Sequence, residues 1–144
     1  MQLAPRTEDF LDEDRRWIGD SKKLRADRTI NLDPALFDED DFPDGVVKSG
    51  TVLARRTSGT RLWGPYDQAA DTDAVTGGAQ PDGLDVAVGF LYSTVKLRAD
   101  GGVASAALYD NGAINVAHLP VSSGPGSLDA GARTDLAGHF RFYE

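Results

Sequence analysis

The chain contains no cysteine, one methionine and two histidines among its 144 residues. Without thiols, no disulfide staples the fold and no zinc–thiolate site forms. Long apolar runs are missing too. The longest, Val86 to Tyr92, falls far short of the roughly 20 residues that span a bilayer as a helix. The opening MQLAPRTEDF has no basic stretch leading into an apolar core, so no signal peptide is expected. Together these absences point to a soluble protein made in a cytoplasm, with no membrane partner. Basic clusters are equally scarce, none exceeding two adjacent residues. Acidic residues outnumber basic ones 23 to 15, giving a net charge of −8. A protein that grips nucleic acid needs lysines and arginines to displace counterions from phosphates. No nucleic-acid partner is expected.

What remains is ordinary globular material, 40% apolar with 16 Gly and 7 Pro, which implies many turns. The length suits one domain burying roughly two thirds of its unfolded surface. The charge is unevenly spread. Residues 1–44 hold 13 Asp or Glu against 7 Lys or Arg, while the other 100 residues hold 10 against 8. The chain therefore divides into an acidic N-terminal arm, 1–44, and a β domain, 45–144.

Within the arm, Glu8 to Ile18 reads as a short helix with Phe10, Leu11, Trp17 and Ile18 on one side. Acids sit at its start, Arg15 and Arg16 at its end, Asp12 pairs with Arg16 at i,i+4, and Gly19 supplies a stop. About three turns alone in water are marginal, so such a helix forms against a partner or the protein's own body. Thr29-Ile30-Asn31-Leu32 alternates and is β-prone, and Asp33-Pro34 breaks it. Asp38-Glu39-Asp40-Asp41 reads as a solvated loop. A calcium loop is not expected, because Phe42 and Pro43 stand where ligands belong before Gly45.

From Gly45 on, short strands alternate with turns. Val46-Val47, Val52-Leu53-Ala54, Arg61-Leu62-Trp63 and Thr94 to Arg98 are candidate strands. The last turns Val95 and Leu97 inward and Lys96 and Arg98 outward. Leu84 to Tyr92 is the clearest, with Val86, Val88, Phe90 and Tyr92 sharing a face; Gly89 inside it signals a bulge or a close backbone approach. Val103 to Tyr109 and Ala113 to Ala117 flank Asp110-Asn111-Gly112, a hairpin signal. Ser122 to Gly131 reads as a loop, and His139-Phe140-Arg141-Phe142-Tyr143 closes the chain as a strand. The expected fold is mainly β and loop-rich, with no solenoid repeat.

No catalytic constellation is visible. His118 and His139 have no second ligand at i+2 or i+4, no serine sits in a G-x-S-x-G elbow, and the Gly-Gly pairs lack the Lys-Ser/Thr of a phosphate loop. No enzyme activity, catalytic residue, metal or cofactor is expected. The aromatics of the β region read as core, sugar-binding face or subunit contact, whereas Trp17 reads as an anchor for a partner.

Residues 45–144 resemble the lambda-type phage head decoration proteins. The resemblance rests on Arg61-Leu62-Trp63 followed by Ala87-Val88-Gly89-Phe90-Leu91, then Leu108 to Asn115 and His118-Leu119-Pro120, and finally Arg133 to Gly138 before a terminal β stretch. It implies a compact β-clip-like domain that cements the expanded shell as a homotrimer bound to the major capsid protein. The location implied is the outer capsid surface of the virion. The acidic arm is longer than the family's, so no family contact is carried onto it. Physical reasoning instead nominates Phe10, Trp17 and Ile18 to fill capsid pockets and Thr29, Ile30, Asn31 and Leu32 to add a strand to a capsid edge. Another phage structural or adhesive β module, binding a glycan or protein surface, is the alternative; a nucleotide-hydrolysing enzyme on a β-clip scaffold stands third.

Overall fold

The run Val52-Leu53-Ala54 is apolar at every position, and all three side chains are fully buried. Side chains alternate across a strand, so such a run needs protein on both of its faces. The architecture supplies both. The structure, a computed structural model, describes residues 13–19, 28–57, 61–69, 83–98 and 100–144. Its strands are β1 (Arg28–Leu32), β2 (Val46–Val47), β3 (Val52–Arg55), β4 (Trp63–Pro65), β5 (Ala87–Leu91), β6 (Val95–Lys96), β7 (Ala104–Tyr109), β8 (Gly112–Asn115) and β9 (Phe140–Tyr143). One α-helix, α1 (Ala130–Leu136), lies among the described residues. The domain is compact and mainly β, as the sequence implied. No helix among the described residues is long and apolar enough to cross a membrane.

Five strands close a barrel in the order β1-β4-β3-β5-β7. β1 runs antiparallel to β7 over its whole length, from Arg28 opposite Leu108 to Leu32 opposite Ala104, and meets β4 in parallel at Trp63. All five strands contribute to one cluster, including Leu32, Leu53, Trp63, Leu91 and Leu108, which fills the interior. A second cluster covers one outer face. There Val52, Ala54, Phe90 and Tyr109 pack under Ile114 of β8, Phe140 of β9 and Ala132 and Leu136 of α1. Leu53 thus points inward while its two neighbours point out, and β3 is sandwiched.

The acidic arm does not end at residue 44 as a structural unit. Ile30 and Leu32 belong to the barrel core, and Phe37 and Phe42, edge to face with ring centroids 5.1 Å apart, join the same cluster. Apolar alternation in Thr29–Leu32 found its partner in β7 of the same chain. The helix expected over Glu8–Ile18 is absent where it can be followed. Residues 13–18 form an extended stretch, a turn and a single bridge from Ile18 to Ile114; residues 8–12 lie outside the described residues. Arg16 pairs with Asp14; its expected partner Asp12 lies outside the described residues.

Asp110-Asn111-Gly112 turns the chain, yet β7 and β8 do not pair. β8 instead pairs in parallel with β9, Gly112 opposite Phe140 through Asn115 opposite Tyr143. Parallel neighbours need a crossover, and the chain from Val116 to His139, with α1 inside it, provides one. The turn moves the chain from barrel wall to outer layer, because Tyr109 and Ile114 bury into the same outer cluster. α1 begins in the expected loop and covers residues 132–136, to which no element was assigned, while the expected closing strand is β9. Asp129 caps it, its Oδ1 accepting from the Ala132 N–H at 2.8 Å. Seven residues would not hold a helix alone; Ala132 and Leu136, four apart, bury against the barrel, and the Ala87 N–H donates to Asp135 at 3.0 Å.

The shared face expected for Val86, Val88, Phe90 and Tyr92 is broken by a bulge. Leu53 pairs with Gly89 but Ala54 pairs with Ala87, so Val88 is the extra residue and Val86 is left 50% exposed. Gly89 is required there, since a Cβ would stand 2.8 Å from the Tyr109 carbonyl oxygen. Gly89→Ala should therefore cost about 1–3 kcal/mol in urea denaturation, as overpacking does. Gly138→Ala, with nothing within 4 Å of the added carbon, should stay within about 0.5 kcal/mol of the parent. Equal stabilities for the two variants would contradict the bulge assignment.

Candidate functional site

The nominated anchor, Trp17, anchors the chain to itself. Its ring is fully buried, stacked on Phe90 with centroids 5.5 Å apart and edge-on to Tyr109 at 5.5 Å. Its indole N–H donates to Ser49 Oγ at 3.0 Å, and that hydroxyl donates to the Tyr92 carbonyl at 2.6 Å. Burial of so large a ring with its one polar atom satisfied is a core placement, not a waiting contact. Ile18 is buried beside it. The backbone follows: the Asn115 N–H donates to the Trp17 carbonyl at 2.6 Å, and the Gly19 N–H donates to Ala113 at 2.8 Å. The segment thus lies along β8 through a single antiparallel bridge, Ile18 opposite Ile114.

Charged neighbours pin the same segment. Arg15 lies over the Tyr92 ring at 4.3 Å and donates to the Ser93 hydroxyl at 2.9 Å. Glu13 accepts from the Thr94 N–H at 3.2 Å. Arg16 grips Asp14 through a guanidinium fork, with contacts of 3.0, 3.1 and 2.7 Å, and its backbone N–H adds another. Those hydrogen bonds hold the Asp14 carboxyl well below the usual carboxylate range. On the opposite side of the outer layer, burial pushes the Tyr66 phenol up, reinforced by its hydrogen bond to the helix-capping Asp129.

Of the other nominated residues, Ile30 and Leu32 are buried and Thr29 and Asn31 are exposed on β1. Ser105 on β7 donates to the Asn31 side chain at 3.4 Å. β7 pairs along the whole of β1 on one edge, and on the other β4 meets it at Leu32. Phe10 lies outside the described residues.

Sequence reasoning passed over a different surface. Where β3 ends and β4 and β5 begin, a groove of about 450 Å³ has Trp63, Val86 and Val88 along it, with Arg28, Arg55, Arg56 and Arg61 around them. Arg28 lies 5.4 Å from the Trp63 ring centroid and 3.4 Å from Asp110; Arg56 reaches Asp33 at 3.7 Å. Arg55 donates weakly to the Arg61 carbonyl at 3.4 Å. Arg61 itself holds a left-handed backbone, φ 53°. Neither Arg55 nor Arg61 has a carboxylate partner among the described residues. The only sequence signals were the adjacent pair Arg55-Arg56 and the later Arg61; nothing in their spacing foretold that Arg28 joins them.

Compared with known protein families and with curated proteins, the chain matches none.

Among the described residues, no three His, Asp or Glu side chains cluster as metal ligands. His118 borders a cleft with Asp14, Arg16 and Lys48, whereas His139 is exposed just before β9. The arrangement offers binding surfaces built on a rigid barrel: a mixed-charge cleft around the Trp17 segment and an arginine groove with an apolar floor. Trp17→Ala should destabilise the free protein by about 3–5 kcal/mol, the cost of emptying an aromatic core site. Trp17→Phe should keep the stacking and lose the hydrogen bond, costing about 1–2 kcal/mol. Thermal and urea unfolding check both; an unchanged Trp17→Ala midpoint would mean the ring is not a core residue.

Proposed function

We propose that the chain is a capsid decoration protein, binding the outer surface of a major-capsid-protein shell as a homotrimer and stabilising the expanded head. Two lines support this reading. The sequence resemblance covers residues 45–144, and the surfaces described above are suited to binding other macromolecules. The observation that carries the proposal is the fixed point at Trp17, which tethers the twelve residues ahead of Glu13 to a rigid barrel.

That fixed point moves the binding role within the arm. Trp17, Ile18, Ile30 and Leu32 serve the body, and capsid contact falls to residues 1–12, with Phe10 as their one aromatic side chain. A contact made by so few residues buries little surface. One copy would bind weakly. Three copies joined in one trimer raise the effective concentration of each, so modest contacts sum to firm attachment.

Removing residues 1–12 should leave the melting curve of the barrel unchanged and abolish decoration of expanded shells, seen by electron microscopy and co-sedimentation. Extending the deletion through residue 19 should lower stability as well, because Trp17 goes with it. Full decoration by the chain lacking residues 1–12 would rule out this placement of the capsid contact.

A further inference from the structure

We infer that the arginine groove receives the acidic turn Asp38–Asp41 of a second copy of the chain, forming a head-to-tail contact within the homotrimer. This rests on the trimeric reading above and names the surfaces that meet. Four of the chain's 15 Lys and Arg converge on one groove of a protein whose net charge is −8. Two are shared with Asp33 and Asp110, while Arg55 and Arg61 have no carboxylate partner among the described residues. The matching charge is also on the surface. Asp38, Glu39, Asp40 and Asp41 are all exposed, and none forms an ion pair among the described residues.

Among the described residues, no ion pair joins these two charged features within one chain. The acidic turn leads directly into Phe42, whose ring lies beside Gly126 and, with it, the Thr51 side chain, just ahead of β3. Arg55 closes β3 at its far end. A strand rises about 3.3 Å per residue, so the four steps from Thr51 to Arg55 separate the two by roughly 13 Å. Arg55 is further held back by its bond to the Arg61 carbonyl. The turn is preformed for docking: the Asp38 side chain accepts from the Asp40 N–H at 3.1 Å, and the Phe42 N–H donates to the Asp38 carbonyl at 2.8 Å. Exposed Pro43, next to the turn, supplies an apolar surface for the half-exposed Val86.

A patch at one end that fits a different patch at the other end makes a heterologous contact, and such contacts close into rings when the rotation allows. Three copies form the smallest ring consistent with the proposed role. Between molecules that repel overall, this local complementarity also orients the encounter.

Sedimentation equilibrium of the full chain up to millimolar concentration tests the contact, with circular dichroism confirming that each variant is folded. The parent chain should associate, and less so at high salt. Arg55→Glu with Arg61→Glu should weaken association about tenfold or more, the factor that two or three exposed ion pairs supply together. Asp40→Lys with Asp41→Lys should do the same, and the chain carrying all four substitutions should regain association. Association untouched by either pair, or not regained in the fourfold variant, overturns the inference. So does a parent chain that stays monomeric throughout, although decoration of shells by that monomer would leave the proposed function standing.

Discussion

Burial of one indole ring decides how the N-terminal third of the molecule is organised. Trp17 lies between Phe90 of the barrel wall and Tyr109 at the end of β7, with Ser49 relaying its N–H to the Tyr92 carbonyl. Ser49 precedes β3 and Tyr92 follows β5, so this single side chain ties together two chain segments that flank neighbouring strands. Aromatic contacts then pass from Phe90 to Phe140 and from Phe140 to Phe142, carrying the packing into β9. Without the ring, the outer cluster would have a hole, and β8 would lose the segment bridged to it at Ile18.

A small barrel with short strands has little interior of its own, and this one extends its core outward. β3 is apolar on both sides because helix α1 and the β8–β9 pair cover its outer face, while Phe37 and Phe42 extend the inner cluster beyond the strands. The acidic turn and the arginine groove both lie on the surface of this framework. An assembly protein gains from such an arrangement: contacts between copies and contacts with a shell can use different surfaces of one rigid body.

Much of the β framework was legible because its cues are local. Thr29–Leu32, Val52–Ala54 and Thr94–Arg98 alternate or run apolar in the way their burial demands, and Gly89 marked both a bulge and a close approach. Long-range pairing was not legible. Asn111-Gly112 signals a turn, but no local feature says that β8 will seek β9 across a crossover instead of β7 next door. The helix α1 was hidden by its shortness and by Gly131 within it; the cap at Asp129 was its one clear cue. Trp17 misled for an instructive reason. Acidic neighbours made it look stranded on a solvated arm, yet those charges sit at the surface while the ring between them faces inward. The arginine groove joins residues 28, 55, 56, 61 and 63, and only closure of the barrel brings Arg28 to the rest.

The central claim, that residues 13–19 are part of the folded body before any partner arrives, is most directly tested by native-state hydrogen exchange on the free chain. The Asn115 amide, which donates to the Trp17 carbonyl, and the Gly19 amide, which donates to Ala113, report the segment; the Leu91 amide, which donates to Thr51, reports the barrel. If the segment is integral, all three exchange only on global unfolding, with the same dependence on denaturant. Rapid exchange at Gly19 and Asn115 while Leu91 stays protected would contradict the account.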